Sequence, residues 1–193
     1  MKKLLVIVVL GLFLINSSQA DDIRDFEIDG MSIGDSALKF FTKSEIEKNI
    51  QNYPYNSKTM KAVWIRNNDQ TKIYNGIQFH YNTSDRNFKI ESLSGVLWFI
   101  DEFSGCKKKQ KEIVSEFKEM FPNEDIIDTG LRNYKSDPSN KSKYINIGFR
   151  LKSGDTLTVS CSDWSESMKP NADNLRVTIN SAIFDNWINF KAY

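Results

Sequence analysis

The chain has 193 residues, with 26 Lys and Arg against 25 Asp and Glu, one histidine and a formal net charge of +1. A near-neutral protein has no global field to gather DNA, RNA or an anionic lipid surface, which argues against nucleic-acid partners. A single histidine, His80, leaves no histidine cluster for a metal centre.

The opening reads MKKLLVIVVLGLFLINSSQADD. Lys2 and Lys3 form a charged start, Leu4 to Ile15 an apolar core, and Ser18-Gln19-Ala20 a small-residue cleavage site. The apolar run is shorter than the roughly 20 residues a membrane-spanning helix needs. The expectation is therefore a signal peptide over residues 1–20, cleaved after Ala20. No cysteine stands directly after that point to carry a lipid anchor. The expected product, residues 21–193, is a soluble periplasmic or secreted chain of 173 residues with no stable membrane insertion. Loss of Lys2 and Lys3 brings its charge close to −1. Its length suits a single domain with its own core.

In chain order, DFEIDGMSIGDSALKFF reads as a short strand, a turn at Asp29-Gly30 and a helix entered at Asp35, a good N-cap type. Thr42 and Glu45 have capping-box spacing, so a further helical turn starts there. Residues 51–59 form a loop by their Asn, Pro and Ser content. Strands are predicted over 61–66, 74–81 and 88–100. A helix over about 104–121 is stopped by Pro122. Residues 122–142 read as a polar loop with a turn at Asp137-Pro138, followed by strands at 143–151, 153–164 and 174–184. The tail, 185–193, reads as one helical turn. This order, roughly α-βββ-α-ββββ with short connections, implies antiparallel pairing and an α+β domain with helices packed on one face. Helix plus meander occurs twice without a residue-level repeat.

Cys106 and Cys161 are the two cysteines. In an exported chain an even pair reads first as a disulfide. Steps of about 100° place Cys106 with Gln110, Ile113, Val114 and Phe117 on the core side of the long helix. Strand alternation puts Cys161 with Leu157 and Val159 on a buried face. Both sulfurs thus point inward, and a Cys106–Cys161 bridge is expected. The same wheel answers for the basic cluster Lys107, Lys108, Lys109 and Lys111: Lys107, Lys111 and Lys118 share one flank of the helix, and Glu112, Glu116 and Glu119 share the other. That is a mixed-charge solvent face rather than a binding patch. Lys108 and Glu112 stand at pairing distance. The positive charge opposes the helix dipole, with Asp101, Glu102 and a Ser104 cap as compensation.

Catalytic motifs are sparse. His80 lies on the polar side of a predicted strand and reads as a surface or edge histidine. No GxSxG elbow, P-loop or GxGxxG is present, so no cofactor is implied. NNDQTK, residues 67–72, has too few ligands for a calcium loop. Asp163 and Glu166 flank Trp164, and two carboxylates beside an aromatic could serve a hydrolase. Tyr53 and Tyr55 around Pro54, with Trp164 and Trp187 near element ends, form a candidate binding surface. Aromatic planes can stack on sugars or anchor a partner, against the alternative that they seal the edges of a core.

The phrases DFEIDGMSIGDSALKFF, CKKKQKEIVSEFKEMFPN, VSCSDWSE and DNLRVTINSAIFDNW together resemble a family of small exported proteins of marine bacteria. The resemblance spans most of the mature chain and implies export without assigning an activity. GMSIGDS is also similar to the entry turn of small outer-membrane assembly lipoproteins, whose lipidated cysteine is absent here. The expected function is a non-catalytic periplasmic accessory or binding protein, its partner an envelope protein or a small ligand. The alternatives are a carboxylate-based envelope hydrolase and a protein-interaction or inhibitor module.

Overall fold

The computed structural model describes residues 23–66 and 73–193. The expected signal segment and the NNDQTK loop lie outside the described residues. Asp29 and Gly30 turn the chain back on itself, both with positive φ (52° and 81°), and Ile28 bridges Met31 across the turn. Asp35 caps no helix. Its carboxylate accepts from the Ser32 N–H (3.0 Å) and pairs with Lys39, while Ser36 caps a short 3-10 turn over Ala37–Lys39. The Thr42–Glu45 capping box forms as its spacing predicts and opens helix α1, Lys43–Lys48.

Among the described residues the strands form one antiparallel sheet. In chain order they are β1 (Ile50–Gln51), β2 (Met60–Arg66), β3 (Gly76–Asn82), β4 (Ile90–Trp98), β5 (Asp125–Asp128), β6 (Arg132–Asn133), β7 (Lys143–Arg150), β8 (Thr156–Asp163) and β9 (Asn174–Asn180). The spatial order is β1-β2-β3-β4-β9-β8-β7-β5, with β6 also on β7. The fold class is α+β. Two meanders, β2-β3-β4 and β7-β8-β9, meet through their last strands, with Leu93 opposite Ile179 and Ser94 opposite Thr178. Residues 122–142, read as loop, supply β5 and β6 to the β7 edge.

One face carries the main core. Ile77, Phe79 and Tyr81 point into it from β3, Leu157, Val159 and Cys161 from β8, and Leu175, Val177 and Ile179 from β9. Helix α1 and the N-terminal turns cover one half, with Phe41 stacked on Phe79 at 5.9 Å. Helix α2, Phe103–Met120, covers β8 and β9. Its buried stripe is Cys106, Gln110, Ile113, Val114 and Phe117, the stripe the wheel picks out. Cys106 is bridged to Cys161 across a Cα–Cα distance of 5.9 Å. One turn on, Gln110 donates from Nε2 to the carbonyls of Ile145 (3.0 Å) and Val159 (2.7 Å), fixing the helix over β7 and β8. At the helix start Glu102 occupies the N-cap with no side-chain bond, and Ser104 lies exposed inside the first turn rather than capping it. Lys109, not Lys108, pairs with Glu112 (3.2 Å), and Lys107 lies over the Phe103 ring.

The C-terminus differs most from its sequence reading. β9 ends at Asn180 because the Ser181 hydroxyl accepts from the Phe184 N–H and starts helix α3, Ala182–Phe190. α3 is a full helix rather than one turn, and it lies against the sheet face opposite α1 and α2. The Phe184 ring is 4.5 Å from His80, and the Ala182 N–H donates to Asp155.

The bridge closes a loop between cysteines 55 residues apart, which on the chain-entropy model contributes about 4 kcal/mol. Cys106→Ala with Cys161→Ala should lower the denaturant-derived unfolding free energy by about that amount. Intact mass should show the oxidised protein two hydrogens lighter than the reduced chain. A loss below about 1 kcal/mol would contradict the bridge's role.

Candidate functional site

The second face of the sheet is divided. At one end α3 and the loop before β2 close over it. Met60, Phe184, Trp187 and Ala192 form a small core there, with Tyr55 packed against it. Tyr55 and Trp187 meet edge to face at 4.9 Å, and the Trp187 indole N–H donates to the Ser57 hydroxyl (3.1 Å). His80 lies beneath them and is only 7% exposed, so it is no surface histidine. Its strand face reads as wet because the helix that covers it is distant in sequence. Nε2 meets the Tyr55 hydroxyl at 3.1 Å, while Nδ1 is buried without a partner. Burial first, and the Arg176 charge second, push its pKa down to about 3 from 6.5. The ring is neutral throughout the physiological range.

At the other end the face stays open as a cleft of about 620 Å³. Strand alternation aims Trp64 and Arg66 of β2, Asn174 and Arg176 of β9, Ser160 and Ser162 of β8, and Tyr144 and Asn146 of β7 to this side. Gly76 makes room for the first wall: a Cβ there would meet the Trp64 ring at 2.9 Å, so only glycine lets the indole lie down on the sheet. Trp64 and Trp98 stand with centroids 6.2 Å apart. The Arg66 guanidinium rests on both rings, 5.7 and 5.5 Å from their centroids, and Arg176 lies 5.6 Å from the Trp64 centroid.

Arg176 is half-buried and donates to the side-chain amide oxygen, Oε1, of Gln78. Gln78 in turn donates from Nε2 to the Tyr53 hydroxyl (2.7 Å), which sets Tyr53 at the rim. Burial lowers the Arg176 pKa. A guanidinium nonetheless keeps its proton. Among the described residues it has no carboxylate partner.

The opposite wall is Trp164, edge-on to Tyr134 at 4.9 Å, with Tyr144 beyond. Asp137 holds this wall in place. Its carboxylate accepts from the backbone N–H groups of Ser139, Lys141 and Ser142 and from the hydroxyls of Ser139, Ser165 and Ser167. Burial alone would raise its pKa, but these donors, led by Ser167 and Ser142, hold the carboxyl far below the usual range. The loop after β6 is thereby tied to the segment after Trp164. Asp173 adds a second tie by accepting from the Trp164 N–H (2.7 Å).

Among the described residues the cleft lining contains six aromatics, two arginines, neutral polar groups, Pro170 and Ala172, and no Asp, Glu, His or Lys. Asp163 and Glu166 do not line it. Asp163 continues the Cys161 side of β8, where burial, and then Asp173, raise its pKa. Glu166 is exposed and pairs with Lys169 (2.6 Å). Of the four aromatics singled out from sequence, Tyr53 and Trp164 line the cleft, while Tyr55 and Trp187 belong to the small core. Trp64, Arg66, Trp98, Tyr134, Tyr144 and Arg176 went unnoticed. For Trp64, Arg66 and Arg176 the available signal was Trp and Arg at outward positions of WIR and NLRVTIN. A second concavity, between the N-terminal turns and α3, holds Glu91, which pairs with Lys89 (3.1 Å) and accepts from the Ser181 hydroxyl (2.7 Å). Among the described residues no group of three His, Cys, Asp or Glu could hold a metal, and no helix is long and apolar enough to cross a membrane. Comparison with protein-family models, curated proteins and solved structures finds no match.

The His80 environment sets an acid limit. Between pH 6.5 and about 3 the unfolded chain takes up a proton that the folded imidazole refuses. Stability is therefore unaffected by His80 above that window and falls through it, by about 1.4 kcal/mol per pH unit. Urea unfolding at pH 7 and pH 4.5 should show the wild type losing about 2–3 kcal/mol more than His80→Gln. Equal losses would show that the imidazole is not held neutral.

Proposed function

We propose that this is an exported, non-catalytic binding protein whose ligand site is the aromatic cleft on the open half of the sheet, and that the ligand is anionic. The observation that carries this reading is Arg176: a half-buried guanidinium facing the cleft, held by Gln78 and Trp64, with no carboxylate partner among the described residues. An uncompensated cation removed from water is costly unless something of opposite charge meets it. Arg66, exposed and laid across Trp64 and Trp98, adds a second positive charge at the mouth. Export is supported by the charged, apolar and small-residue tripartite start, by the resemblance to small exported proteins and by the disulfide, which fits an oxidising compartment. A carboxylate-based hydrolase draws no support from a cleft with no Asp or Glu in its lining among the described residues.

The site carries its own reporter. Trp64, Trp98 and Trp164 line the cleft, and Trp187, the last of the four tryptophans, lies in the small core. Titration with ring-bearing anions should change intrinsic fluorescence saturably, and the change should survive in Trp187→Phe. Apparent affinity should fall as NaCl rises, because part of the attraction is screened charge. No saturable response from any anion, or one that disappears in Trp187→Phe, would overturn the assignment.

A further inference from the structure

Resting on the binding reading, we propose that the ligand is an acidic oligosaccharide, a short chain of sugar rings bearing carboxylates or sulfates. The floor of the cleft holds two neighbouring cross-strand rows, Asn146 of β7 beside Ser160 of β8 and Arg176 of β9, and Tyr144 of β7 beside Ser162 of β8 and Asn174 of β9, so small neutral hydrogen-bonding groups lie on all three strands. Each strand is about 4.8 Å from the next, so donors and acceptors repeat at a spacing similar to the length of one sugar unit. Hydroxyls and amides in such a row match a ligand rich in hydroxyls.

Both walls are aromatic. Trp64, Trp98 and Tyr53 stand on the β1–β4 side, and Tyr134, Tyr144 and Trp164 on the other. Indole and phenol faces offer flat apolar area to the C–H faces of sugar rings while their edges stay wet. The two arginines supply what a neutral sugar would not need. A guanidinium presents a planar fork that pairs with carboxylate or sulfate in two parallel hydrogen bonds. The volume, about 620 Å³, lies within the range of small-ligand sites and has room for more than one ring.

Two other anion classes fit less well. A nucleotide is commonly cradled by backbone N–H groups at a glycine-rich turn or a helix N-terminus. No first-turn helix residue lines this cleft among the described residues. An acidic peptide needs partners for its own N–H and C=O groups, and it usually finds them on a free strand edge. The cleft lies on the face of the sheet, where the backbone groups of β7, β8 and β9 are already engaged in their ladders.

The test is calorimetric titration of the oxidised mature chain with a galacturonic acid tetramer, a sulfated chondroitin tetramer, neutral cellotetraose, ATP and a glutamate tetrapeptide. At least one acidic tetramer should bind, and about tenfold or more tighter than cellotetraose. The acidic tetramer that binds identifies the charged group as carboxylate or sulfate. Arg176→Met should weaken that binding by about tenfold or more. Arg66→Met should do the same, and because Arg66 is exposed this variant tests the charge without disturbing the sheet. Equal binding of cellotetraose, or binding of ATP or the peptide alone with the same arginine dependence, would overturn the saccharide class and leave the cleft as the site. Absence of any binding across the panel would overturn both.

Discussion

Strand β9 lies in the middle of the sheet, between β4 and β8, and alternation along it imposes two environments on one short segment. Leu175, Val177 and Ile179 enter the core, while Asn174, Arg176, Thr178 and Asn180 face the other way. Among the described residues the helices cover one face of this sheet and only part of the other. α1 and α2 close the first face, and α2 is held there both by the disulfide and by the buried Gln110 amide. α3 and the loop carrying Tyr55 reach across only one end of the second face. The remainder must be compatible with water, and it is there that the polar and aromatic side chains collect.

Arg176 stands at the border between these two regions. Toward the closed end its charge helps keep His80 neutral, and toward the open end its guanidinium faces the cleft beside Trp64. The Tyr53–Gln78–Arg176 hydrogen-bond chain ties the rim of the cleft to its floor. A protein optimised for stability alone would place an apolar residue on a central strand at such a border. Local departures of this kind collect where a structure serves something other than its own folding. The far wall follows similar logic. Asp137 gathers three backbone and three hydroxyl donors, so Trp164 and Tyr134 are carried on loops held by an ionised carboxylate rather than by apolar packing.

Features set by local spacing were legible in the sequence. The Thr42–Glu45 box, the inward stripe of α2, the alternation of β7 and β8 and the facing of both cysteines each depend on residues a few positions apart. Features set by sheet order were not. Trp64 and Arg176 are neighbours only because β2, β3, β4 and β9 lie side by side, and nothing in WIR or NLRVTIN states that order. His80 was misplaced for the same reason, since its alternation was read correctly but the cover over it comes from α3 at the far end of the chain. The α3 start was present in principle, as Ser181 followed by Phe184 and Trp187 at helical spacing. The β-rich look of NLRVTINSAIF masked it. Asp137 read as a turn residue before Pro138, and no sequence rule pairs it with Ser165 and Ser167.

The most direct measurement is two-dimensional NMR of the side-chain indole N–H groups during titration with an anionic ligand that binds. If the open half of the sheet is the site, the resonances of Trp64, Trp98 and Trp164 shift along one common binding curve, and Trp187 stays in place. Shifts confined to Trp187, or backbone changes mapping to the lysine face of α2 while the three cleft indoles remain still, would contradict it.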